Sequence, residues 1–580
     1  MTTFVVPSIN LKSVPKNLTA EKFNTYFANI PLKIDSEFDD DKDIELLWRG
    51  GKSIHKFTFD GFTIYDVTKR LQSLPDKTGN DIVGIDRRLL RIGAEYVSSS
   101  LTVILNKSLS EGAVDDDWKI SRVTPVYKND GDLNNENNYR PISVIGHVAK
   151  VLEQLVCSQL TAYLMKYKFI SPDQSAYLPG HSTQTSLHRA VDDWLENINE
   201  NQVTGAILLD VSKCFDTINH TLLLRKLEMY GISGTALQWF TSYLHNRRQS
   251  VCCHGKMSEP TKTAIGVPQG PVLGPFLFLL FINDVSSFMT NGGVTNLFAD
   301  DNFIYACGDT IDEVKERLQK CLDSIAYWYK RNRLKINEKK TKIMLIGSKH
   351  QLRSMNLEDY VLLYDDKPLE LVEAAKYLGL HISSDLSWDL HIQHLCKQMY
   401  YYISLFRRLS KILPRESMLK VYKAYIQPRF DYGVTVWGCT MEYNLDKVQR
   451  IQNLAGRIIS NNFDYINFRG LDIVRSLHLP TIRERRDYFL CALTFKSIHG
   501  LAPTYLSDRV DMKFDVLGYN VRSTDSMDIY LPLVKRDMYK NSLLYRGGSL
   551  WNKLPDHIKE SPNFETFKMN YRQMRHVLDS

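Results

Sequence analysis

Two apolar, aromatic-rich runs, at 294–299 and 302–307, flank the aspartate doublet Asp300-Asp301. Strand-forming residues on both sides of a short polar pair are typical of a β-hairpin, because Asp tolerates the geometry of a tight turn. A further carboxylate, Asp210, directly follows the short apolar run AILL, which suits a buried strand. We therefore predict a sheet in which Asp210 follows one strand and the doublet lies at the tip of a hairpin.

A helix is predicted directly after this hairpin. Thr310 and Glu313 have the spacing of a capping box, and apolar residues at helical spacing follow as far as Ile325. A strand, a hairpin and a helix around the acidic residues predict a mixed α/β (α+β) fold for this part of the chain.

Length and composition limit the class of protein. With 580 residues the chain exceeds a single hydrophobic core, so we expect at least three domains or subdomains. Hydrophobic residues at 43% and charged residues at 24% exclude a disordered chain. The net charge of +7 is compatible with a polyanionic partner, although many proteins without one share it.

Cysteine spacing and hydropathy bear on the compartment. The nine cysteines form no C-x-x-C pair and no zinc-ligand pattern with histidines. The first 17 residues lack the basic and apolar regions of a secretory signal, and the apolar run 276–282 is too short to span a bilayer. We therefore predict a reduced, zinc-free, intracellular protein without a membrane partner.

The acidic residues suggest a metal site. Carboxylates beside apolar strands are costly unless a cation or a partner neutralises them. Oxygen ligands without Cys or His favour Mg²⁺, and two such ions ~3.5–4 Å apart would stabilise both the attacking and the leaving oxygen of a phosphoryl transfer. The alternative is that the Asp-Asp pair only forms a good turn, which is the commoner case for an isolated pair.

Three longer motifs occur in a fixed order: LLDVSKCFDTINH at 208–220, AIGVPQGPVLGPFLF at 264–278 and LFADDNFIYA at 297–306. They resemble motifs A, B and C of the reverse transcriptases of non-LTR retrotransposons, of the jockey and CR1 type. The segment 118–156 resembles the fingers motif of the same family. The segment 334–347 resembles motif D.

The resemblance continues towards the C-terminus. The segment 376–392 resembles the primer grip and the entry to the thumb. The segments 422–438 and 549–559, the latter containing WNKLP, are typical of the ends of these elements. No endonuclease is recognisable, so we expect an element protein truncated without its endonuclease.

The family resemblance implies a right-hand polymerase with fingers, a ferredoxin-like palm and a helical thumb. We accordingly divide the chain into 1–105, an N-terminal extension or linker with a loop at 39–42, and 106–382, the fingers and palm. A thumb-like helical region would follow at 383–460, and a mainly helical C-terminal region of unknown function at 461–580.

The resemblance also implies roles for individual residues. Asp210 and Asp300 would be the main ligands of two Mg²⁺ ions, with the Val211 carbonyl and Asp301 in support. Phe215 matches the steric gate that excludes the ribose 2′-OH, and packing in the core is its alternative role.

Further roles concern the substrates. Gln269 matches the glutamine that positions the template and the incoming nucleotide, and Gly270 would permit a close backbone approach. Lys128 and Arg140 match cations that hold the triphosphate, and a solvated basic surface is the alternative for both. Lys340 resembles the motif D lysine, the general acid for the pyrophosphate.

These motifs predict an RNA-directed DNA polymerase that extends a DNA 3′-OH on an RNA template with deoxynucleoside triphosphates, in a nuclear or cytoplasmic ribonucleoprotein. The alternative is a catalytically weak or inactive nucleic-acid-binding relic. Leu178, Pro271 and Asn302 favour it, because the family usually has Arg, Ser and Thr there. A group II intron maturase is disfavoured by the WNKLP segment. Basic residues among tyrosines at 390–413 suggest a nucleic-acid grip, and 445–458 repeats the pattern with Lys447, Arg450 and Arg457. A solvated helix face is the alternative for each of these residues.

Overall fold

The structure is a computed structural model of the chain. It describes residues 14–38, 46–76, 79–290, 292–357, 360–517 and 527–578. The loop expected at 39–42 lies outside the described residues. The chain divides into two compact units: unit 1 comprises Met1–Tyr177, Asp210–Thr290 and Cys321–Glu338, and unit 2 comprises Leu178–Leu209, Asn291–Lys320 and Lys339–Ser580.

The strands, numbered in chain order, are β1 (Ile120–Tyr127), β2 (Tyr139–Val144), β3 (Val203–Leu209), β4 (Arg248–Cys253), β5 (Lys256–Met257), β6 (Thr261–Lys262), β7 (Val294–Phe298), β8 (Asp301–Gly308), β9 (Lys342–Ile346), β10 (Leu363–Tyr364), β11 (Lys367–Pro368), β12 (Glu370–Leu371), β13 (Ala374–Tyr377) and β14 (Leu380–Ser383).

The α-helices are α1 (Ala20–Asp35), α2 (Ile64–Gln72), α3 (Arg87–Ile92), α4 (Ala94–Glu111), α5 (His147–Lys166), α6 (Thr183–Asn199), α7 (His220–Met229), α8 (Gly234–Leu244), α9 (Leu273–Ile282), α10 (Ile311–Arg331), α11 (Lys349–Ser354), α12 (Asp389–Leu409), α13 (Arg415–Val421), α14 (Gln427–Asp431), α15 (Val434–Trp437), α16 (Glu442–Ser460), α17 (Gly470–Ser476), α18 (Ile482–Ile498), α19 (Thr504–Ser507), α20 (Lys513–Leu517), α21 (Gly548–Trp551), α22 (Asp556–Lys559) and α23 (Phe564–Leu578).

Unit 1 contains a sheet with the strand order β2-β1-β4-β5, and β6 also pairs with β4. β1 runs antiparallel to β2 and parallel to β4. The helix α1 packs on this sheet through Phe23, which lies in a buried cluster with Tyr139 and Val251. The Thr19 hydroxyl begins α1 by accepting a hydrogen bond from the Lys22 backbone N–H.

Unit 2 contains a sheet with the strand order β12-β9-β3-β8-β7. β3 is antiparallel to both β8 and β9, and β7 and β8 form a hairpin. Gly205 of β3 lets α10 approach the sheet closely, because a Cβ there would lie 2.4 Å from Leu318 Cδ1 and 2.7 Å from Val314 Cγ1. The strand that contains AILL, the hairpin and the helix are thus confirmed. The Thr310 hydroxyl caps α10 by accepting from Glu313 N–H at 3.2 Å, whereas the Glu313 carboxylate accepts from Asp309 N–H.

The core of unit 2 extends from this sheet into the helices that follow it. Trp194, Phe303, Tyr377 and Trp437 belong to one buried cluster. Trp551, in the WNKLP segment, lies in a second cluster with Phe495 and Phe567. Both units combine helices with sheets, which confirms the mixed α/β prediction. None of the helices in the described ranges is long and apolar enough to cross a membrane.

Candidate active site

The aspartate doublet lies at the tip of the β7–β8 hairpin in unit 2. Phe298 pairs with Asp301, so the turn consists of Ala299 and Asp300, and Asp301 is already the first residue of β8. Ala299 has a φ of +56°. This left-handed conformation costs a residue with a side chain roughly 1–2 kcal/mol. Both aspartates are exposed. A strained turn beside two exposed carboxylates is a reason to suspect function there.

Asp210 follows the strand that pairs with this hairpin. The β3–β8 register ends at Leu209 and Asn302, the residues next to Asp210 and Asp301 in the chain. Within unit 1, the Asp210 carbonyl accepts a hydrogen bond from Asn337 N–H at 2.7 Å, and Ser212 N–H donates to Lys335 O at 2.9 Å.

These two hydrogen bonds flank a bridge between Val211 and Ile336. They use the carbonyl of Asp210 and the N–H of Ser212. The Val211 carbonyl therefore takes no part in the bridge, which leaves it suited to the ligand role expected for it.

In unit 1 the segment after Asp210 is joined to the motif B segment. Val267 N–H donates to Phe215 O, and Gly266 N–H donates to Ile218 O, each at 2.8 Å. The Gln269 side-chain Nε2 donates to Asp216 Oδ1 at 2.8 Å. Because an ionised carboxylate can only accept, it holds the amide with its nitrogen inward. The carbonyl oxygen of Gln269 is then the end available to a substrate.

Asp216 is a residue to which the sequence motifs had assigned no role. Burial raises the pKa of its carboxyl group to about 6, although Lys213, Gln269 and Lys128 oppose this shift. It lines a small cavity of about 50 Å³ together with Ser143, Arg247, Gln249 and Gln269. The only sequence signal was its place in the segment 208–220, which does not reveal burial.

Gly270 adopts a backbone conformation that few other residues could. Its φ is +122°, and a Cβ there would lie 2.4 Å from the Ser143 carbonyl oxygen. On the other side of this contact, Ser143 N–H donates to Gln269 O at 2.7 Å. The close approach observed is therefore to β2, and it fixes the backbone of Gln269.

Phe215, expected to be a steric gate, packs against Phe278 of α9, with the ring centroids 4.3 Å apart. Its side chain is only partly buried. A ring supported on one side and partly exposed is compatible with a gate and also with packing, so the gate stays a prediction.

The expected cations differ in their surroundings. Lys128 Nζ donates to the Asn137 carbonyl at 2.8 Å, so part of its hydrogen-bonding capacity holds a loop of unit 1. Arg140 is exposed on β2 opposite Val126. In unit 2, Lys340 and its neighbour Lys339 are both exposed in the turn before β9. Their roles stay predictions.

The carboxylate oxygens of the aspartates are donors of the type that Mg²⁺ prefers. In the part of the chain that is described, no three His, Cys, Asp or Glu side chains gather into a ready-made metal site. Mg²⁺ rarely needs such a cage, because it keeps several waters and is held by one or two carboxylates plus substrate phosphates. The exposed oxygens of Asp300 and Asp301 suit that kind of binding.

The three departures from the family pattern are all buried. Leu178, where a cation is usual, is 9% exposed. Asn302 lies inside the sheet between β3 and β7, and Pro271 is buried before α9. Leu178 adds packing but no charge, so the structure supplies nothing at this position that replaces the missing cation.

Comparison with known proteins agrees with the motifs. Residues 126–382 match the family described as "Reverse transcriptase (RNA-dependent DNA polymerase)". "Probable RNA-directed DNA polymerase from transposon BS" of Drosophila melanogaster is 26% identical, over 73% of this chain and 47% of that protein. "RNA-directed DNA polymerase from mobile element jockey" of the same species is 26% identical, over 73% of this chain and 46% of that protein.

A third relative, "Retrovirus-related Pol polyprotein from type-1 retrotransposable element R1" of Bradysia coprophila, is 25% identical, over 63% of this chain and 37% of that protein. The chain spans about half the length, or less, of these relatives. The family match includes motifs A to D, and the relatives named are proteins of non-LTR elements. Residues 126–382 are therefore similar to the reverse transcriptase family, and the predicted resemblance to proteins of non-LTR retrotransposons is confirmed.

Proposed function

We propose that this chain is an RNA-directed DNA polymerase, which extends a DNA 3′-OH on an RNA template by two-metal phosphoryl transfer. The observation that carries the proposal is the β3–β8 register. It ends at Leu209 and Asn302, next in the chain to Asp210 and Asp301. These carboxylates stand in the motifs that the family uses for its chemistry.

In this proposal Asp210 and Asp300 are the main metal ligands, and the Val211 carbonyl and Asp301 assist. When bound, two Mg²⁺ ions would stabilise the charge on the attacking and leaving oxygens. The chain itself contributes by positioning the carboxylates. The strained turn at Ala299 holds the Asp300 backbone before any substrate arrives, so little reorganisation is needed during the reaction.

Residues of unit 1 would select and hold the nucleotide. Gln269, whose amide is oriented by Asp216, presents its carbonyl oxygen to the substrate. The Phe215 ring, supported by Phe278, blocks a 2′-OH. Arg140 and Lys128 neutralise the triphosphate.

Lys340, in unit 2, completes the proposed chemistry by donating a proton to the leaving pyrophosphate oxygen. Its exposed position in the turn before β9 leaves the ammonium group in contact with solvent, so it can be reprotonated after each turnover.

The RNA template and the DNA primer are the proposed partners, in a nuclear or cytoplasmic ribonucleoprotein. The four-part division at 105, 382 and 460 belongs to the same proposal. Its thumb-like region contains α12, whose Tyr400, Tyr401, Arg407 and Arg408 are exposed. Exposed cations among aromatic rings suit a nucleic-acid backbone and bases.

The second candidate is a nucleic-acid-binding relic without activity. It is favoured by Leu178, a buried leucine at a position where the family usually has a cation. This candidate predicts normal binding of template and primer with no chemistry.

Primer extension separates the two candidates. A labelled DNA primer annealed to an RNA template is incubated with the chain, Mg²⁺ and all four deoxynucleoside triphosphates. The matched control is the same primer ending in a 3′-dideoxynucleotide. We expect template-directed extension of the 3′-OH primer alone. Tight binding of the hybrid without extension would establish the relic.

A further inference from the structure

The loop 461–469 between α16 and α17 displays four large apolar side chains to solvent. Phe463 is 43% exposed, Tyr465 66%, Ile466 95% and Phe468 49%. Single exposed apolar residues are ordinary on a protein surface, but four within six positions form a patch that calls for a binding partner. We refer to residues 461–469 as the aromatic loop.

The aromatic loop is held from below by a buried arginine. Arg457 of α16 is 4% exposed, and its guanidinium donates to three backbone carbonyls. These belong to Asn462 at 3.4 Å, Asp464 at 3.0 Å and Phe468 at 2.6 Å. Its guanidinium also lies 4.1 Å from the centre of the Tyr465 ring. Arg457 had been counted with a basic surface, and the structure shows instead that it supports the loop from inside.

The carboxylate of Asp464 fixes the tip of the loop. Its Oδ1 accepts from the backbone N–H groups of Ile466 and Asn467, each at 2.9 Å. The exposed rings are thus mounted on a braced backbone. Because the loop is already ordered in the folded chain, a partner that binds these rings causes little further loss of conformational entropy.

Exposed arginines lie in the aromatic loop and in the helices on both sides of it. Arg450, Arg469 and Arg475 are exposed. A Cβ at Gly470 would lie 2.7 Å from Asn453 Cβ, so the residue after Arg469 touches α16 one turn beyond Arg450. Asp472 is the exposed carboxylate of α17.

The two acids of α16 share one arginine. Arg483 lies 2.7 Å from the carboxylates of both Glu442 and Asp446. Residues 450–476 contain four arginines and two aspartates, Asp464 and Asp472, so this segment has a net charge of +2 and attracts a polyanion.

We propose that the aromatic loop, with Arg450, Arg469 and Arg475, binds single-stranded nucleic acid outside the reverse transcriptase domain. Planar side chains that stack on bases, beside cations that contact phosphates, are the pattern such binding uses. The rings of Phe463, Tyr465 and Phe468 would take the bases. This goes beyond the proposed polymerase activity, because it needs neither metal nor nucleotide.

Photo-crosslinking tests the proposal directly. The full chain carrying Asp300→Asn is irradiated with single strands containing 4-thiouridine (RNA) or 4-thiothymidine (DNA), in EDTA, and crosslinked peptides are mapped. We expect crosslinks within 461–469. Stronger crosslinking of the RNA probe would assign the site to template-type strands, and of the DNA probe to product strands. Because EDTA and the variant remove catalysis, this outcome does not depend on polymerase activity.

An affinity series supplies the matched controls. The triple variant Phe463→Leu/Tyr465→Leu/Phe468→Leu keeps apolar side chains but removes the planar faces. It should bind single strands at least ~10-fold more weakly, since one lost base stack corresponds to roughly 5- to 150-fold. Ile466→Ala, at the most exposed position, should bind like the parent chain. Thermal unfolding should stay cooperative with only a small decrease in melting temperature, because the rings are largely exposed and Tyr465→Leu removes one contact, with Arg457.

A second variant set tests the cations. Replacing Arg450, Arg469 and Arg475 with Gln should flatten the dependence of log affinity on log salt by ~0.7 for each lost phosphate contact. The proposal is overturned if the triple Leu variant binds as the parent does and no crosslink maps to the loop. It is equally overturned if Ile466→Ala weakens binding as much as the triple variant, because binding would then depend on apolar contact and not on stacking of planar rings.

Discussion

Two regions of this molecule differ in the surroundings of their aspartate carboxylates. At the β7–β8 hairpin, Asp300 and Asp301 are exposed at a strained turn. In the motif A segment, Asp216 is buried enough that the pKa of its carboxyl group rises to about 6, and it accepts a hydrogen bond from Gln269. The role of an aspartate in this chain therefore depends on its surroundings as well as on its residue type. Exposed carboxylates suit a cation from solution, and the enclosed one suits the positioning of a neighbour.

Among variants outside the hairpin, the largest effect is expected at Gly270. Gly270→Ala places a Cβ 2.4 Å from Ser143 O at a φ of +122°, so the backbone that carries Gln269 must shift. A displaced positioning residue costs on the order of 10²-fold in rate. We expect that loss in template-directed extension, measured at saturating primer–template. Full activity would show that the Gln269 backbone position does not matter.

Gly234→Ala is the matched control for this variant. Gly234 also has a positive φ, of +59°, but a Cβ there would meet nothing within 4 Å. This variant introduces backbone strain without a steric clash of the added Cβ, and we expect its rate of primer extension to be close to that of the wild type.

A smaller effect is expected at Phe215, which precedes Asp216 in the chain. Phe215→Ala should raise the use of ribonucleotides relative to deoxyribonucleotides by roughly 10-fold, because one removed contact in a pocket is worth about 1–3 kcal/mol. Competing incorporation of the two sugars on one template measures it. Unchanged selectivity in a folded variant would make Phe215 a packing residue against Phe278.

Asp216 should give a pH-dependent effect of similar or smaller size. With its pKa at about 6, the carboxylate is charged above that pH and holds the Gln269 amide most strongly there. We expect kcat/KM for extension to fall as the pH drops through 6. This decrease on the acid side of the pH profile should be absent in Asp216→Asn. An identical profile in both proteins would remove the positioning role.

The smallest expected effect is on the melting temperature, and its direction follows from the raised pKa of Asp216. The folded-state pKa of Asp216 lies above the ordinary value, so the unfolded chain releases this proton first as pH rises from about 4. This residue therefore lowers stability progressively between pH 4 and 6, and the loss persists above 6. Asp216→Asn should raise the melting temperature at pH 7.5 and have little effect at pH 4. A lower melting temperature at pH 7.5 would mean that the charge stabilises the fold.

The sequence allowed the local elements to be predicted, because their signals are local. The apolar run before Asp210, the flanks of the doublet and the Thr310 capping box all lie within a few residues of the structure they specify. The exact turn differed by one residue, since Ala299 takes the left-handed position that Asp would tolerate better. Single-residue propensity gives no warning of that strain.

Burial and long-range contacts were not predictable in the same way. Asp216 and Gln269 are 53 residues apart, and their hydrogen bond depends on the packing of both segments. Arg457 looked like a surface cation on α16, yet its guanidinium is enclosed by carbonyls of a loop that follows it. The aromatic loop itself has no periodicity, so its exposure appears only once the helices around it are placed.

The central claim is that the hairpin carboxylates support the chemistry. The most direct measurement compares extension rates of Asp300→Asn and Asp309→Asn. Asp309 is an exposed aspartate just beyond the other end of β8, so its variant removes the same charge away from the turn.

We predict that Asp300→Asn loses at least ~10²- to 10³-fold in rate. Its affinity for primer–template without metal should be unchanged. Asp309→Asn should remain close to wild type in both rate and affinity. Equal rates in the two variants, with wild type active, would contradict the account and place the metal site elsewhere.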